Sequence, residues 1–323
     1  LVNGAMPEGA KHVQASVTEA NRSGYYSNQA TMSQLEQGTT YAYQLVNGAK
    51  QSPVYTFTTE DASNGFTFLF MGDPQLGASG NLISDNSGWN TTLRAAAAKV
   101  PDAAFLLSAG DQVNTANNEG QYTAYLDQQV LYSLPVATVI GNHDNSSNAY
   151  GQHFNVPNES GEYGTTDAGS DYWFRYGNVL FLVLNVNNMS DAEHRMFMEK
   201  AMAQNQDAEW NIVTMHHSVY SVANHALEND IIQRRNTLVP IFEELGIDVV
   251  LQGHDHVYVR TYMMDDFNAV TESEKYTDQN GDGVPDAVTD PDGILYVTAN
   301  SASGSKYYNI KTEEQFPYAA VKS

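Results

Sequence analysis

In FLFMGDPQLG (Phe68–Gly77), four apolar residues run directly into Gly-Asp-Pro-Gln. A short apolar run bounded by turn residues reads as a strand buried on both faces, as in a parallel sheet. Asp73 then stands just past the strand's carboxyl end, where open α/β sheets collect their ligands. The same construction recurs four more times. AAFLLSAG leads to Asp111, PVATVIG to Asn142, His143 and Asp144, NIVTM to His216 and His217, and IDVVLQG to His254, Asp255 and His256. In four of these five ends a glycine directly precedes the polar residue, which suits a tight backbone turn under a site. Helical stretches separate the strands: TTLRAAAAKV, EGQYTAYLDQQVL, DAEHRMFMEKAMAQNQ and IIQRRNTLVPIFEELG. Strands alternating with helices predict an α/β fold, a largely parallel sheet covered by helices. One Gly-Asp is a common turn, and one histidine after a strand is usually a satisfied polar residue. Five such ends in one α/β domain leave little room for chance.

Composition narrows the chemistry. The 323 residues include no cysteine, so disulfides and thiolate ligands are excluded. Any metal must be held by His, Asp, Glu, Asn or Gln. The formal net charge of −23 argues against a nucleic-acid partner, which is bound mainly through Lys and Arg. It also means that a site for an anionic substrate must supply local positive charge, as bound metals would. No apolar run reaches the length of a membrane span. LVNGAMPEGA at the start has neither the basic start nor the apolar stretch of a signal peptide. The lack of cysteine fits an exported bacterial protein, so a secreted or cell-surface location is expected.

Residues 1–60 read differently. TTYAY and VYTFTTE alternate with period two, and Tyr41 and Tyr43 share a face, as in antiparallel β-structure. Leu35, Gly38, Thr40, Tyr41 and Tyr43 approximate a late-strand pattern of fibronectin type III-like sandwiches. Such a sandwich needs about 100 residues, so an incomplete one is expected here, serving attachment or spacing at a cell surface. The second domain is expected to span 61–323, with a polar insertion at about 264–293 and a further strand, ILYVTAN, after it.

The order Gly-Asp, Gly-Asp, Gly-Asn-His-Asp, an isolated His after a strand, and Gly-His-Asp-His resembles the calcineurin-like metallophosphoesterase superfamily. VYVRTY and VTANSASGSKYY make the chain similar to bacterial relatives of the purple acid phosphatases, which carry a fibronectin-like domain in front. The resemblance implies a four-layer αββα sandwich behind the small β domain. It implies two divalent or mixed-valence metals bridged by Asp111, one also held by Asp73 and His256, the other by Asn142, His216 and His254. Carboxylates with neutral imidazoles suit Fe, Mn or Zn. The implied reaction is hydrolysis of a small phosphate ester by a dimetal-bound hydroxide, with His143 as general acid. Asp144 is expected to orient the His143 ring, His225 to contact the phosphate, and His217 to support the site from behind.

Two positions depart from the family. Purple enzymes place a tyrosine where Asn114 stands, so no purple colour and no obligate ferric ion are expected. Other branches place a histidine where Gln75 stands. Gln75 is therefore expected to supply an amide oxygen or hold a bound water, and the first metal to be the labile one. In the insertion, Asp278, Asn280, Asp282, Gly283, Val284 and Asp286 fill positions one, three, five, six, seven and nine of a calcium loop. Thr289 replaces the usual Glu at position twelve. The competing reading of the whole chain is a non-catalytic binding or scaffold protein that has kept a metal site.

Overall fold

The computed structural model describes residues 4–312 and 316–323. It begins with a small β unit of six short strands: β1 (Ser16–Glu19), β2 (Tyr26–Gln29), β3 (Thr39–Tyr43), β4 (Val46–Asn47), β5 (Lys50–Gln51) and β6 (Tyr55–Thr59). They pair antiparallel as β1–β2, β3–β6 and β4–β5. Across β3–β6, Tyr41 meets Phe57 and Tyr43 meets Tyr55, with ring centroids 5.6 and 5.4 Å apart. These aromatic cross-strand pairs are what the period-two pattern predicts. The unit docks on the rest of the chain. The Tyr43 hydroxyl donates to the Tyr132 carbonyl at 2.8 Å, and the Ser27 hydroxyl to the Gln152 carbonyl at 2.7 Å.

Strands and helices then alternate. They are β7 (Thr67–Met71), α1 (Leu82–Lys99), β8 (Ala103–Ser108), α2 (Glu119–Leu126), β9 (Val136–Thr138) and a short α3 (Ala149–His153). Next come β10 (Tyr172–Tyr176), β11 (Val179–Leu184), α4 (Asp191–Gln204), β12 (Trp210–Met215), α5 (Asn229–Leu245), β13 (Val249–Gln252) and β14 (Val259–Thr261). The insertion forms two small hairpins, β15 (Met263–Asp265) with β16 (Asn268–Val270) and β17 (Tyr276–Thr277) with β18 (Ala287–Val288). β19 (Leu295–Thr298) and β20 (Ala319–Lys322) close the chain. Local chemistry marks the helix ends: Asn81 and Asn118 accept first-turn amides of α1 and α2, and Gly246 ends α5 in the left-handed region.

The strands form two sheets rather than one. β7, β8 and β9 make a parallel three-stranded sheet; the other runs β10-β11-β12-β13-β19-β14-β20, parallel from β11 through β19. Alternate side chains of the central strands serve different layers. Leu69, Met71 and Leu106 pack with Trp89 and Leu93 of α1 and Tyr122 and Tyr125 of α2. Phe105 and Leu107, on the opposite face of β8, meet Phe181, Ile212 and Leu251 of the second sheet. Leu180, Leu182 and Leu184 turn the other way, onto Phe197 and Met198 of α4 and Leu238 and Phe242 of α5. The order helix, sheet, sheet, helix is the four-layer sandwich. Burial on both faces explains why these strands are apolar throughout. Among the described residues no helix is long and apolar enough to cross a membrane.

One buried pair lies behind the site. His194 of α4 donates from Nδ1 to Asp171 Oδ2 at 2.7 Å and from Nε2 to the Asn188 carbonyl at 3.0 Å. Both ring nitrogens face acceptors, so the ring carries both protons. Burial opposes that charge, but Asp171, the Asn188 carbonyl and Asp191 outweigh it and hold the pKa above its ordinary value. Asp171 also accepts the Asn185 amide at 2.8 Å, and Asn187 Nδ2 donates to the Ile140 carbonyl at 3.0 Å, beside the Asn142 turn. His194→Asn leaves the Asp171 charge buried without its cation, at an expected cost of about 3–5 kcal/mol. A raised histidine pKa stabilises fully below the unfolded value of about 6.5 and ceases to do so as pH rises through the folded value. The Tm gap between wild type and His194→Asn should therefore be widest below about pH 6.5 and narrow above it. A pH-independent gap would contradict a protonated His194.

Candidate metal centre

The six residues expected to hold the metal pair stand beyond the carboxyl ends of parallel strands. Asp73 follows β7, Asp111 follows β8 and Asn142 follows β9; His216 follows β12, and His254 and His256 follow β13. The two sheets thus bring their strand ends to one place. Asp73, Asp111 and His216 each offer an atom within 4.8 Å of the others, the one such group of three or more among the described residues. His216 Nε2 lies 3.4 Å from Asp111 Oδ2, 3.1 Å from Asn142 Oδ1 and 3.3 Å from His254 Nδ1. His256 Nε2 lies 3.6 Å from Asp73 Oδ1. Asp73, Asp111, His216 and His256 are buried and Asn142 is exposed, so the cluster opens on the Asn142 side.

The backbone around the cluster is unusual. Asp73, Gln75, Asp111, His254 and His256 all have positive φ, between 37° and 72°. They are five of the nine non-glycine residues in that state among those described. Such conformations persist where surrounding contacts over-determine them, and they concentrate at functional sites. Here the contacts are visible. The Asp73 carboxylate accepts the His254 amide with both oxygens at 2.9 Å, and Asp111 Oδ1 accepts the His143 amide at 2.9 Å. The glycines serve two ends. Among the four before the ligand turns, only Gly110 has positive φ. Gly141 and Gly253 are needed for close approach: a Cβ would overlap Asp111 Oδ1 at the first and lie 2.5 Å from Asp73 Oδ2 at the second.

The histidines are aimed by the backbone. His216 Nδ1 donates to the Ala109 carbonyl at 2.8 Å and His256 Nδ1 to the Lys306 carbonyl at 2.9 Å. Each ring thereby turns Nε2 toward a buried carboxylate, the arrangement in which imidazole ligates metals. His143 Nδ1 donates to the Asn114 carbonyl at 2.9 Å, leaving its Nε2 free of that bond.

Electrostatics shows which charge the cluster attracts. Burial drives the Asp73 carboxyl well above its ordinary range, and Asp111 adds to the rise while His216 opposes it. Burial also works to raise Asp111, but His216 and His143 outweigh it and hold Asp111 below its ordinary range. Burial pulls His216 down, yet Asp111 and Asp73 push it up to about 9. Asp111 and Asp73 thus draw positive charge to His216. A bound cation supplies the same charge and frees Nε2 as a ligand. The donor set of carboxylates, imidazoles and amide oxygens fits such a cation.

The remaining expected residues fall into place differently. Gln75 Nε2 donates to Asn114 Oδ1 at 3.2 Å, while its Oε1 is buried with no hydrogen-bond partner. An orphaned buried oxygen beside the cluster fits a cation or its bound water. Asp144 does not orient His143. Its carboxylate accepts backbone amides, Gly141 at 2.9 Å and Gln112 at 3.1 Å, and so ties the Asp111 turn to the Asn142 turn. The Asn114 carbonyl holds the His143 ring instead, because only that carbonyl reaches Nδ1. His225 is no isolated surface residue: its ring lies 4.3 Å from that of His254. His217 is buried behind His216, with ring centroids 5.3 Å apart. Asp255 received no role from sequence, although it stands inside the His-Asp-His triplet. Its carboxylate accepts the Ala223 and His225 amides at 3.0 and 2.9 Å and so positions His225. In the insertion, Asp278 accepts the Gly281 and Gly283 amides at 2.7 and 2.8 Å, and Gln279 donates to Asp286 at 2.8 Å. Asp278, Asp282 and Asp286 do not form a second group like that of Asp73, Asp111 and His216.

Comparison with known proteins gives the family and the fold. Residues 66–258 match the calcineurin-like phosphoesterase family, and residues 4–59 match the purple acid phosphatase N-terminal domain. Two uncharacterized proteins of Mycobacterium tuberculosis, from strains CDC 1551 and H37Rv, are 23% identical over a 278-residue alignment covering 73% of this chain and 50% of theirs. The chain therefore spans about half the length of those curated relatives. Among solved structures, a purple acid phosphatase from yellow lupin seeds superposes with a TM-score of 0.65 at 17% identity, covering 96% of this chain and 60% of that one. PhoD superposes with a TM-score of 0.55 at 14% identity, covering 87% and 65%. These two likenesses are of fold.

Proposed function

The chain belongs to the calcineurin-like phosphoesterase family, and from that premise we propose that it hydrolyses small phosphate esters at a pair of cations held between its strand ends. The carrying observation is the aim of His216 and His256. Both spend Nδ1 on a backbone carbonyl and turn Nε2 to a buried carboxylate. In this reading Asp111 would serve both cations, Asp73 and His256 would hold one, and Asn142, His216 and His254 would hold the other. The donor set suits Fe, Mn or Zn. Two such cations would clamp the attacking and leaving oxygens and acidify a water for attack.

The chain's own residues do the rest. Hydrolysis replaces the ester P–O bond by one from water, and the departing oxygen takes up a proton. His143 is the donor, from Nε2, because its Nδ1 is held by Asn114. Asp111 fixes the same residue from its other end, through the His143 amide. His225, its ring 4.3 Å from that of His254 and its amide held by Asp255, would face the phosphate. The test is purification followed by assay of p-nitrophenyl phosphate and its bis-ester with Mn, Zn and Fe. Metal-dependent turnover of either supports the reading. Two bound metals with no turnover would favour a binding protein.

Two narrower expectations follow. The cation at Asp73 is the labile one, because Gln75 offers it a neutral amide oxygen where imidazole would bind more strongly. After mild dialysis the wild type should keep about one metal and Gln75→His about two. Equal retention in both would sink the idea. The loop from Asp278 to Asp286 would bind calcium through Asp278, Asn280, Asp282, the Val284 carbonyl and Asp286 and brace its hairpin. Calcium should then raise the Tm of the wild type and not of Asp278→Ala; identical responses would end that assignment.

A further inference from the structure

SASGSKYY (residues 301–308) lies across the first ligand turn. The Ala302 amide donates to the Gly72 carbonyl at 2.8 Å, Ser301 Oγ to the Asp73 carbonyl at 3.1 Å, and Ser305 Oγ to the Pro74 carbonyl at 3.3 Å. Thus anchored, the loop presents two side chains beside the metal-side histidines. The Tyr308 ring stands 5.2 Å from His256 and 5.0 Å from His225, and its hydroxyl lies 3.1 Å from His225 Nε2. Lys306 Nζ lies 4.9 Å from the centre of the Tyr308 ring. No carboxylate of the described residues pairs with that ammonium. The neighbouring cations are committed elsewhere. Arg234 binds Asp230 and the Val186 carbonyl, Arg235 the Val219 and Ala226 carbonyls, and Lys311 the Asn224 carbonyl. In a chain of net charge −23, an ammonium beside the site with no carboxylate partner among the described residues is available for a substrate's charge.

We propose that Lys306 and Tyr308 form the specificity-determining wall of this site, receiving the terminal phosphate oxygen that the cations do not take and so favouring phosphate monoesters over diesters. This rests on the phosphoesterase reading above. A monoester has three non-bridging oxygens and close to two negative charges at neutral pH. With two of those oxygens on cations, the third needs N–H and O–H donors. A diester has only two, and an organic group stands in the third place. That group would be pressed against Lys306 and Tyr308, stripping water from an ammonium and a hydroxyl without replacing it. The Lys306 carbonyl that holds His256 belongs to the backbone, so replacing the side chain leaves that hydrogen bond in place.

The experiment uses the Mn-loaded full chain with Lys306→Gln, Lys306→Arg and Tyr308→Phe, at equal metal content. Two quantities are read: affinity for inorganic phosphate, and kcat and KM for p-nitrophenyl phosphate and its bis-ester. Lys306→Gln should weaken inorganic phosphate roughly tenfold or more, as loss of a charge-assisted hydrogen bond does. It should lower the monoester-to-diester ratio of kcat/KM by about the same factor, chiefly through the monoester KM. Lys306→Arg should recover most of the loss, and Tyr308→Phe should shift the ratio the same way by less. The proposal is overturned if Lys306→Gln leaves phosphate affinity unchanged, or lowers both esters equally. If the wild type binds two metals and hydrolyses neither ester, the phosphoesterase reading fails, and inorganic phosphate affinity alone still decides whether Lys306 reads the anion.

Discussion

Asp111→Asn is expected to strip most of the bound metal and to lower turnover by more than about 10³-fold. Loss of an outer partner of a metal ligand alone costs about 10–100-fold, and in the proposed centre Asp111 would bind both cations. Its two oxygens already serve different neighbours: Oδ1 accepts the His143 amide, and Oδ2 faces His216 Nε2 at 3.4 Å. The asparagine side chain keeps the volume and one acceptor for the His143 amide, so the turn should survive. What it removes is the negative charge that draws cations and that pushes His216 up to about 9. Metal analysis and turnover, read beside an unchanged circular dichroism spectrum, check this. Full metal content in a folded Asp111→Asn protein would contradict a bridging role.

His143→Asn should do the opposite: keep both metals and lose about 10²–10⁴-fold in kcat, the usual worth of a general acid. The residue binds the cluster through its amide, which accepts no metal and remains in any substitution. Its ring is half-buried at the open side of the cluster and held by the Asn114 carbonyl. The loss should shrink for esters with good leaving groups, because a stable departing anion needs no proton. p-Nitrophenyl phosphate should therefore suffer less than an alkyl phosphate. An equal loss on both substrates would mean that His143 positions the phosphate and does not supply the proton.

The residue types of the site were legible because they are locally punctuated. An apolar run and a polar residue lie within ten positions at five strand ends, with a glycine between them at four. The separation into two sheets was less so from periodicity. Phe105 and Leu107 face a sheet while Leu106 faces helices, and an all-apolar strand looks the same whichever layer covers it. The partners of Asp144 were also hidden. Its nearest candidate by sequence was the adjacent His143, but its carboxylate reaches back to the amide of Gln112. Such a contact depends on how two strand ends are brought side by side. The glycines illustrate the same limit. A glycine before a ligand suggested a turn, whereas Gly141 is required by the carboxylate of Asp111, thirty residues away in the chain. Lys306 and Tyr308 received no role of their own from the stretch VTANSASGSKYY, and only the fold sets Tyr308 beside His256 and His225.

The most direct test of a dimetal phosphoesterase is a titration of the metal-free protein with Mn, following bound metal and hydrolysis of p-nitrophenyl phosphate and its bis-ester together. The account predicts no turnover in the metal-free protein, and turnover of at least one ester that reaches its plateau when two equivalents per chain are bound. Full turnover without metal, or two equivalents bound with neither ester hydrolysed, would contradict it.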